Sequence, residues 1–441
     1  MVMASLLSGC LDNGSTAEPP TGFTATAGDG RVLLTWTGSP EVDYWLFTAT
    51  DPSLTAFNWT GLSNSHAYIN ATTPFYMCGL FNGSQYYFAV NGRKNGGPGG
   101  SSSPTINAAP NNASASWTGS STSPTGSTPN LYGLGYTGLT TCSNNATSAA
   151  GSFAAVGAGG AIFTSPDGVT WSKPTSPIST DLYAVTGYAA NQNNPGNPAR
   201  RWVAVGAGGV SVYSLDGISW AVGRPENVAT PNPALRSLIQ VAGTYFAVGD
   251  AASGAGTILS STDGITWTAH PSGTTANLNG VTHGNVYVAV GDSGTVLTSS
   301  DGNTWTAHTS TPAVTDNLRE VAAYASIIVA VGDGGRVVTS LDNGTSWTAQ
   351  SIGAMNLVGV AAESQYVYGA TADPQLGYVS TAQFVAVDDA GKTYSSVNGI
   401  TWSTAINTGI TTNISNLGKP LVSSGFGYVA AGNTGATAYA F

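Results

Sequence analysis

The sequence predicts an all-β protein, a small β-sandwich followed by a larger array of repeated sheets, and three observations carry that reading. No apolar periodicity of 3.6 residues persists anywhere in the 441 residues, so long helices are not expected. Only 8% of residues are charged, while Gly reaches 58 and 11 Trp, 19 Tyr and 12 Phe are present. That composition suits short strands joined by tight turns and argues against disorder. A Ser-x-Asp-Gly-x-Thr-Trp segment then recurs through the C-terminal part, and self-similarity at that spacing indicates a repeat architecture.

Charge and length narrow the function classes. A net charge of −10, from 12 Lys plus Arg against 22 Asp plus Glu, leaves no cationic footprint for nucleic acid. No run approaches the roughly 18 apolar residues of a membrane-spanning helix. The length suits about two to four domains, and the expected division is 1–18 as leader and linker, 19–110 as the sandwich and 111–441 as the repeat array.

Leu7-Ser8-Gly9-Cys10 resembles a bacterial lipobox, and a polar linker to Pro20 follows it. The resemblance implies an exported bacterial protein at the cell surface or in the periplasm, touching a membrane only through acyl chains on Cys10. Nine residues before Cys10 are too few for a complete signal peptide. A lipoprotein therefore requires a start further upstream, and the alternative is a chance match. Cys78 and Cys142 then remain as an even pair in an oxidising compartment, either bridged or as two buried thiols.

In the sandwich, Arg31–Trp36 and Asp43–Phe47 read as strands, with Trp36 directed into the core. The spacing Leu80-x-x-Gly83-x-x-Tyr86-x-Phe88-x-Val90 resembles the fibronectin type III signature, which implies a spacer or protein-interaction domain. A Gly-rich stretch at 96–100 and a Pro, Asn and Ser-rich one to about Asn112 mark its end.

The repeat closes on Ser165–Trp171, Ser214–Trp220, Ser261–Trp267, Ser299–Trp305, Ser340–Trp347 and Ser396–Trp402. These segments resemble the Asp-box (BNR) repeat of sialidase-like and photosystem-assembly-factor-like β-propellers. The turn chemistry is structural: the carboxylates of Asp167, Asp216, Asp263, Asp301 and Asp342, and the amide of Asn398, can accept backbone N–H groups across a hairpin. Gly supplies a positive φ, and Trp packs between sheets. In the propellers they resemble, such boxes lie on the rim, away from the ligand face. The strand pair after Trp402 lacks a box, and Ala113–Trp117 matches a box's end, so both termini of the array are expected to build one blade. The result is a seven-bladed β-propeller of four-stranded blades behind a fibronectin type III-like sandwich.

Function is sought at the other end of the blades. Innermost strands are expected to begin at Leu131, Leu182, Leu235, Leu278, Leu318 and Leu357, with the following residue near the channel mouth. Second strands end at Val248-Gly249-Asp250, Val290-Gly291-Asp292, Val331-Gly332-Asp333 and Val387-Asp388-Asp389. Arg236, Arg319 and Arg336 are thus expected to share a face with Asp250, Asp292, Asp333 and Asp389, as candidate ligand-binding residues. The competing reading is that each Asp caps its own turn.

No catalytic constellation is legible. The Arg-Ile-Pro motif of sialidases is absent, and Glu226, Glu320 and Glu363 are the only glutamates in the array. His270 and His308 occupy equivalent positions after consecutive boxes, which reads as repetition rather than a metal site or triad. Gly-Ala-Gly-Gly at 157–160 and 206–209 lacks the following helix of a phosphate loop. No metal or cofactor is expected. The leading reading is a non-enzymatic binding or scaffold module with a protein or glycan partner. The alternative is a polysaccharide-acting glycoside hydrolase using two of the ring carboxylates.

Overall fold

A computed structural model of the chain describes residues 15–28, 31–78, 80, 83–110, 118–120, 129–137, 152–166, 168–188, 201–224, 232–368, 378–410, 413–414, 421–423 and 428–440. Cys10, Trp117, Cys142, Asp167, Glu226 and the side chain of Cys78 lie outside them. Among the described residues the fold is all-β, and it divides into two compact units, the first mainly up to Asn112 and the second mainly from Ala113.

In the first unit two sheets enclose one core. Thr21–Gly28, Arg31–Thr37 and Phe75–Cys78 form the first sheet in that order. In the second, Tyr86–Lys94 lies between Ser15–Ala17 and Asp43–Ala49, His66–Tyr68 borders the latter, and Ile106–Ala108 also pairs with Tyr86–Lys94. Strand alternation sends Val32, Leu34 and Trp36 from one sheet and Tyr44, Leu46, Phe88 and Val90 from the other into a shared cluster. Trp36 sits edge-on to both Phe23 and Tyr44.

The second unit is a succession of small antiparallel sheets. Sheets 1 to 6 start on Leu131–Thr137, Leu182–Tyr188, Leu235–Val241, Leu278–His283, Leu318–Tyr324 and Leu357–Tyr368, and sheet 7 starts on Leu421–Ser423. Each grows in chain order, and sheet 7 takes its fourth strand, Thr118–Ser120, from the other end of the unit, paired with Thr437–Ala440. Sheet 1 departs from the expected four strands. Its third strand, Ile162–Ser165, meets only an isolated bridge from Ser172 to Thr164. Pro174, which has no N–H, stands where His308 pairs with Val296 in sheet 4.

Consecutive sheets share apolar clusters. Ala154 and Val156 of sheet 1 meet Leu182 and Trp202 of sheet 2, and the series ends with Val429 and Ala431 of sheet 7 against Leu131 and Phe153 of sheet 1. The second strands are covered on both faces, which is why they read as unbroken runs such as Val203-Ala204-Val205 and Val288-Ala289-Val290, all fully buried.

The recurrent Ser-x-Asp-Gly segment forms the turn between third and fourth strands. In sheet 4, Ser299 Oγ accepts the Gly302 N–H at 2.9 Å, and Asp301 Oδ1 accepts those of Asn303 and Thr304 at 2.8 and 2.9 Å. Trp305 Nε1 donates to the Gly302 carbonyl at 3.2 Å. Asp216, Asp263 and Asp342 make the same backbone contacts, as does the Asn398 amide oxygen. Gly302 has a φ of +74°, and a Cβ there would lie 2.6 Å from Phe246 of sheet 3. Glycine is therefore required both to turn the chain and to let the turn pack on the preceding sheet.

These contacts couple the turns to pH. The N–H groups of Ser219 and Ile218 hold the Asp216 carboxyl down to about 2, and the hydroxyl and N–H of Ser346 do the same for Asp342. Because the folded-state values lie below the ordinary 3.8, the stabilisation is complete above that value and disappears as pH falls from about 4 to about 2. Asn398 makes the same turn without titrating. Replacing both residues, Asp216→Asn with Asp342→Asn, should therefore flatten the acid limb of a Tm-against-pH curve in that window. An unaltered limb would show that these carboxylates do not contribute to acid stability.

Candidate binding site

The ends of the sheets opposite the Ser-x-Asp-Gly turns carry the unusual backbone. In each of sheets 1 to 5 the leading Leu pairs with a glycine that closes the second-strand core, as in Leu278 with Gly291, and the register then skips one residue. The skipped residue is a β-bulge, which re-aims its side chain. Tyr132, Tyr183, Arg236, Asn279 and Arg319 occupy these bulges. The glycine is fixed by space rather than by φ: a Cβ on Gly291 would lie 2.0 Å from the Asn277 carbonyl oxygen, and one on Gly332 2.1 Å from that of Asn317.

The bulge side chains are held from both sides. Tyr132 and Tyr183 have ring centroids 5.7 Å apart, and the Arg236 guanidinium lies 5.0 Å from the centroid of Tyr183. Arg236 donates through Nε and Nη2 to the two carboxylate oxygens of Asp250 at 2.8 and 2.9 Å. Arg319 does the same to Asp333 at 2.8 and 2.7 Å. Burial works against the charged form of Arg236, but the hydrogen bonds and charge of Asp250 outweigh it and raise its pKa. Burial likewise raises the Tyr183 phenol.

The candidate acids thus form neither free charges nor caps on their own turns. Asp250 and Asp333 hold arginines. Asp292 accepts from the amides of Asn277 and Asn279 at 2.8 and 2.9 Å, and Asp389 from Asn356 at 3.0 Å. Asp250 is not in a turn at all, because the second strand of sheet 3 continues to Ala252. Arg336 begins the third strand of sheet 5 and pairs with Asp316, at 2.8 Å, rather than with any of the four candidate acids. In sheet 6 the glycine position is taken by Asp388, which is fully buried and accepts the N–H groups of Ala390 and Lys392 and the Tyr394 hydroxyl.

One set of residues escapes the sequence reading. The residue before each leading Leu is Asn130, Asp181, Ala234, Asn277, Asn317 or Asn356. Where it has a side-chain oxygen, that oxygen accepts the N–H of the second residue after the core glycine of the neighbouring sheet, in the turn or, for Ala251, still in the strand. Asp181 takes Gly159, Asn277 takes Ala251, Asn317 takes Ser293 and Asn356 takes Gly334, at 2.8 to 3.0 Å. Asn130 takes Thr434 at 3.1 Å and so joins sheet 1 to sheet 7. Each of these is a staple between neighbouring sheets. The repeated Asn-Leu pair was a usable signal.

A family of sequences described as "DUF6242 beta propeller domain" matches residues 199–307. The chain carries a β-propeller. No curated protein matches it. Among solved structures, it is similar to "YCF48 from Cyanidioschyzon merolae" and to "YCF48 bound to D1 peptide". Both are 15% identical with a TM-score of 0.49 and cover 74% of this chain, with 98% and 94% of their own lengths included.

The two-point arginine pairs make these strand starts part of the fold. Arg236→Ala would strand Asp250 and also remove the cation above Tyr183. With side chains 23% and 30% exposed, the pair is worth on the order of 1 kcal/mol. Urea unfolding of Arg236→Ala, Asp250→Ala and the double variant should show the double less destabilised than the sum of the singles. Strict additivity would mean that the pair does not stabilise the fold.

Proposed function

We propose that this chain is an exported, non-enzymatic binding or scaffold protein whose propeller mouth docks a protein partner. In this reading the second unit is a seven-bladed propeller of Asp-box type, closed by Thr118–Ser120 on the C-terminal sheet. The first unit is a fibronectin type III-like spacer, and Cys10 is the site of lipid attachment. The second unit's series of apolar clusters supports the propeller assignment and the first unit's two-sheet core the sandwich assignment, while lipid attachment rests on the Leu7-Ser8-Gly9-Cys10 resemblance alone.

The observation that carries the function is the array of bulge side chains. Tyr132, Tyr183, Arg236, Asn279 and Arg319 project from rigid strands, and their counter-charges are supplied internally. Tyr and Arg are the side chains enriched at the centres of protein interfaces, where pre-ordering lowers the entropic cost of binding. Hydrolysis receives no comparable support. A glycosidase needs one carboxyl free to donate a proton and another free to act as nucleophile or base, whereas both oxygens of Asp250, Asp333 and Asp292 accept hydrogen bonds from the protein.

The test is affinity capture from detergent-solubilised envelopes, with wild type and a Tyr183→Ala/Arg319→Ala variant as paired baits. A specific protein recovered by wild type and at least tenfold depleted on the folded variant is the expected result. Equal recovery would place the binding surface elsewhere. Recovery of polysaccharide alone would replace the protein partner by a glycan, and release of reducing ends that Asp292→Asn abolishes would restore the hydrolase reading.

A further inference from the structure

The staple residues differ from one another in one respect. Asn130, Asn277, Asn317 and Asn356 hold the neighbouring sheet through an amide oxygen, whereas Asp181 holds the Gly159 N–H through a carboxylate, at 2.8 Å from Oδ1. An amide therefore suffices for the staple, and the charge of Asp181 is surplus to it. The other acids at these sheet ends are met by the protein itself. Asp250, Asp333 and Asp316 take Arg236, Arg319 and Arg336, while Asp292 and Asp389 take asparagine amides. Asp181 is partly exposed, and among the described residues no cation pairs with it and no side chain donates to it. Its surroundings are aromatic. Burial raises the Tyr132 and Tyr183 phenols, and the negative charge of Asp181 raises both further, against the pull of Arg236 on Tyr183. The carboxylate thus lies close enough to act on the two rings, whose centroids are 5.7 Å apart.

We propose that Asp181, beside Tyr132 and Tyr183, is the seat for a cationic side chain, a lysine or an arginine, of the docked partner. The inference deepens the docking role proposed above and rests on it. A carboxylate accepts several hydrogen bonds, and the fold uses one of Asp181's oxygens. The other can accept a charge-assisted bond from an ammonium or guanidinium, with the rings adding attraction to the cation. The molecule itself shows that one of these rings accepts such a neighbour, because the Arg236 guanidinium lies 5.0 Å from the centroid of Tyr183. The staple to Gly159 also fixes the carboxylate in advance, so little side-chain freedom is lost when a partner arrives.

The probe is fluorescently labelled tetra-lysine, with tetra-acetyl-lysine as its uncharged counterpart, titrated into the full chain at neutral pH and followed by anisotropy. Wild type should bind tetra-lysine and not tetra-acetyl-lysine. Asp181→Asn keeps the staple that asparagine makes at the other seams, so it should leave Tm unchanged while weakening binding by about tenfold or more, the loss of one charge-assisted contact. Asp216→Asn, at the opposite sheet ends, should leave binding unchanged. No binding by wild type up to millimolar peptide, equal binding of the two peptides, or equal binding by wild type and Asp181→Asn would overturn the proposal. So would an equal loss in Asp216→Asn, which would mark a general attraction of this acidic chain for cations, or a lowered Tm in Asp181→Asn, which would give the charge a structural role. An Asp181→Asn bait in the envelope capture separates this inference from the docking role. Depletion of the partner on it, as on Tyr183→Ala/Arg319→Ala, is the expected result. A partner held by Asp181→Asn as well as by wild type, yet lost on Tyr183→Ala/Arg319→Ala, would overturn the cation seat and leave the docking role standing. Equal recovery on all three baits would overturn both.

Discussion

Sheets 1 to 5 of the propeller depend on the contact between the glycine near the end of the second strand and the carbonyl that precedes the leading Leu. At about 2 Å from where a Cβ would stand, that oxygen tolerates no side chain, and the following N–H donates to it, as Asp292 does to Asn277 and Asp333 to Asn317. The contact pins the start of the first strand to the end of the second. The next residue of the first strand then has no partner and bulges. A bulge created by such a constraint recurs wherever the glycine recurs, which is why five sheets present a side chain from the same place.

From that constraint the electrostatics follow. The bulge side chain projects beside the residue that follows the glycine, so an arginine on the bulge meets an aspartate there in sheets 3 and 5, and an asparagine meets one in sheet 4. Sheets 1 and 2 have Ala158 and Ala207 at that position, and their bulges hold tyrosines instead. Bulge and turn residues therefore match within each sheet. The same acids orient the stapling amides: Asn277 and Asn356 donate to Asp292 and Asp389 while accepting the Ala251 and Gly334 N–H groups of the preceding sheets. Charge pairing within a sheet and hydrogen bonding between sheets are thus one network, and in a low-dielectric setting such networks favour a single geometry.

Much of this was legible in the sequence. The Ala-Val runs, the leading leucines and the box segments located the strands, because period-two burial and tight turns leave strong local signatures. Arg236 and Arg319 were placed correctly at the start of first strands. Their partners were not legible, because a bidentate pair across a bulge depends on a one-residue register skip that composition does not encode. The sequence ends the second strand of sheet 3 at Asp250, because its Gly-Asp resembles those of sheets 4 and 5, whereas the strand runs on to Ala252 and the hairpin turns at Ser253-Gly254. Pro174 could have warned that sheet 1 would lack a regular fourth strand.

The central claim is that the sheet ends opposite the Ser-x-Asp-Gly turns are held by side-chain staples from one sheet to the next, and that the Gly208 N–H lacks one. Amide hydrogen exchange, resolved by residue, tests it most directly. The account predicts slow exchange at Gly159, Ala251, Ser293, Gly334 and Thr434, whose N–H groups are held by the next sheet, and fast exchange at Gly208, whose N–H is not. Exchange at Gly208 as slow as at the other five, or all six exchanging at the rate of exposed turns, would contradict it.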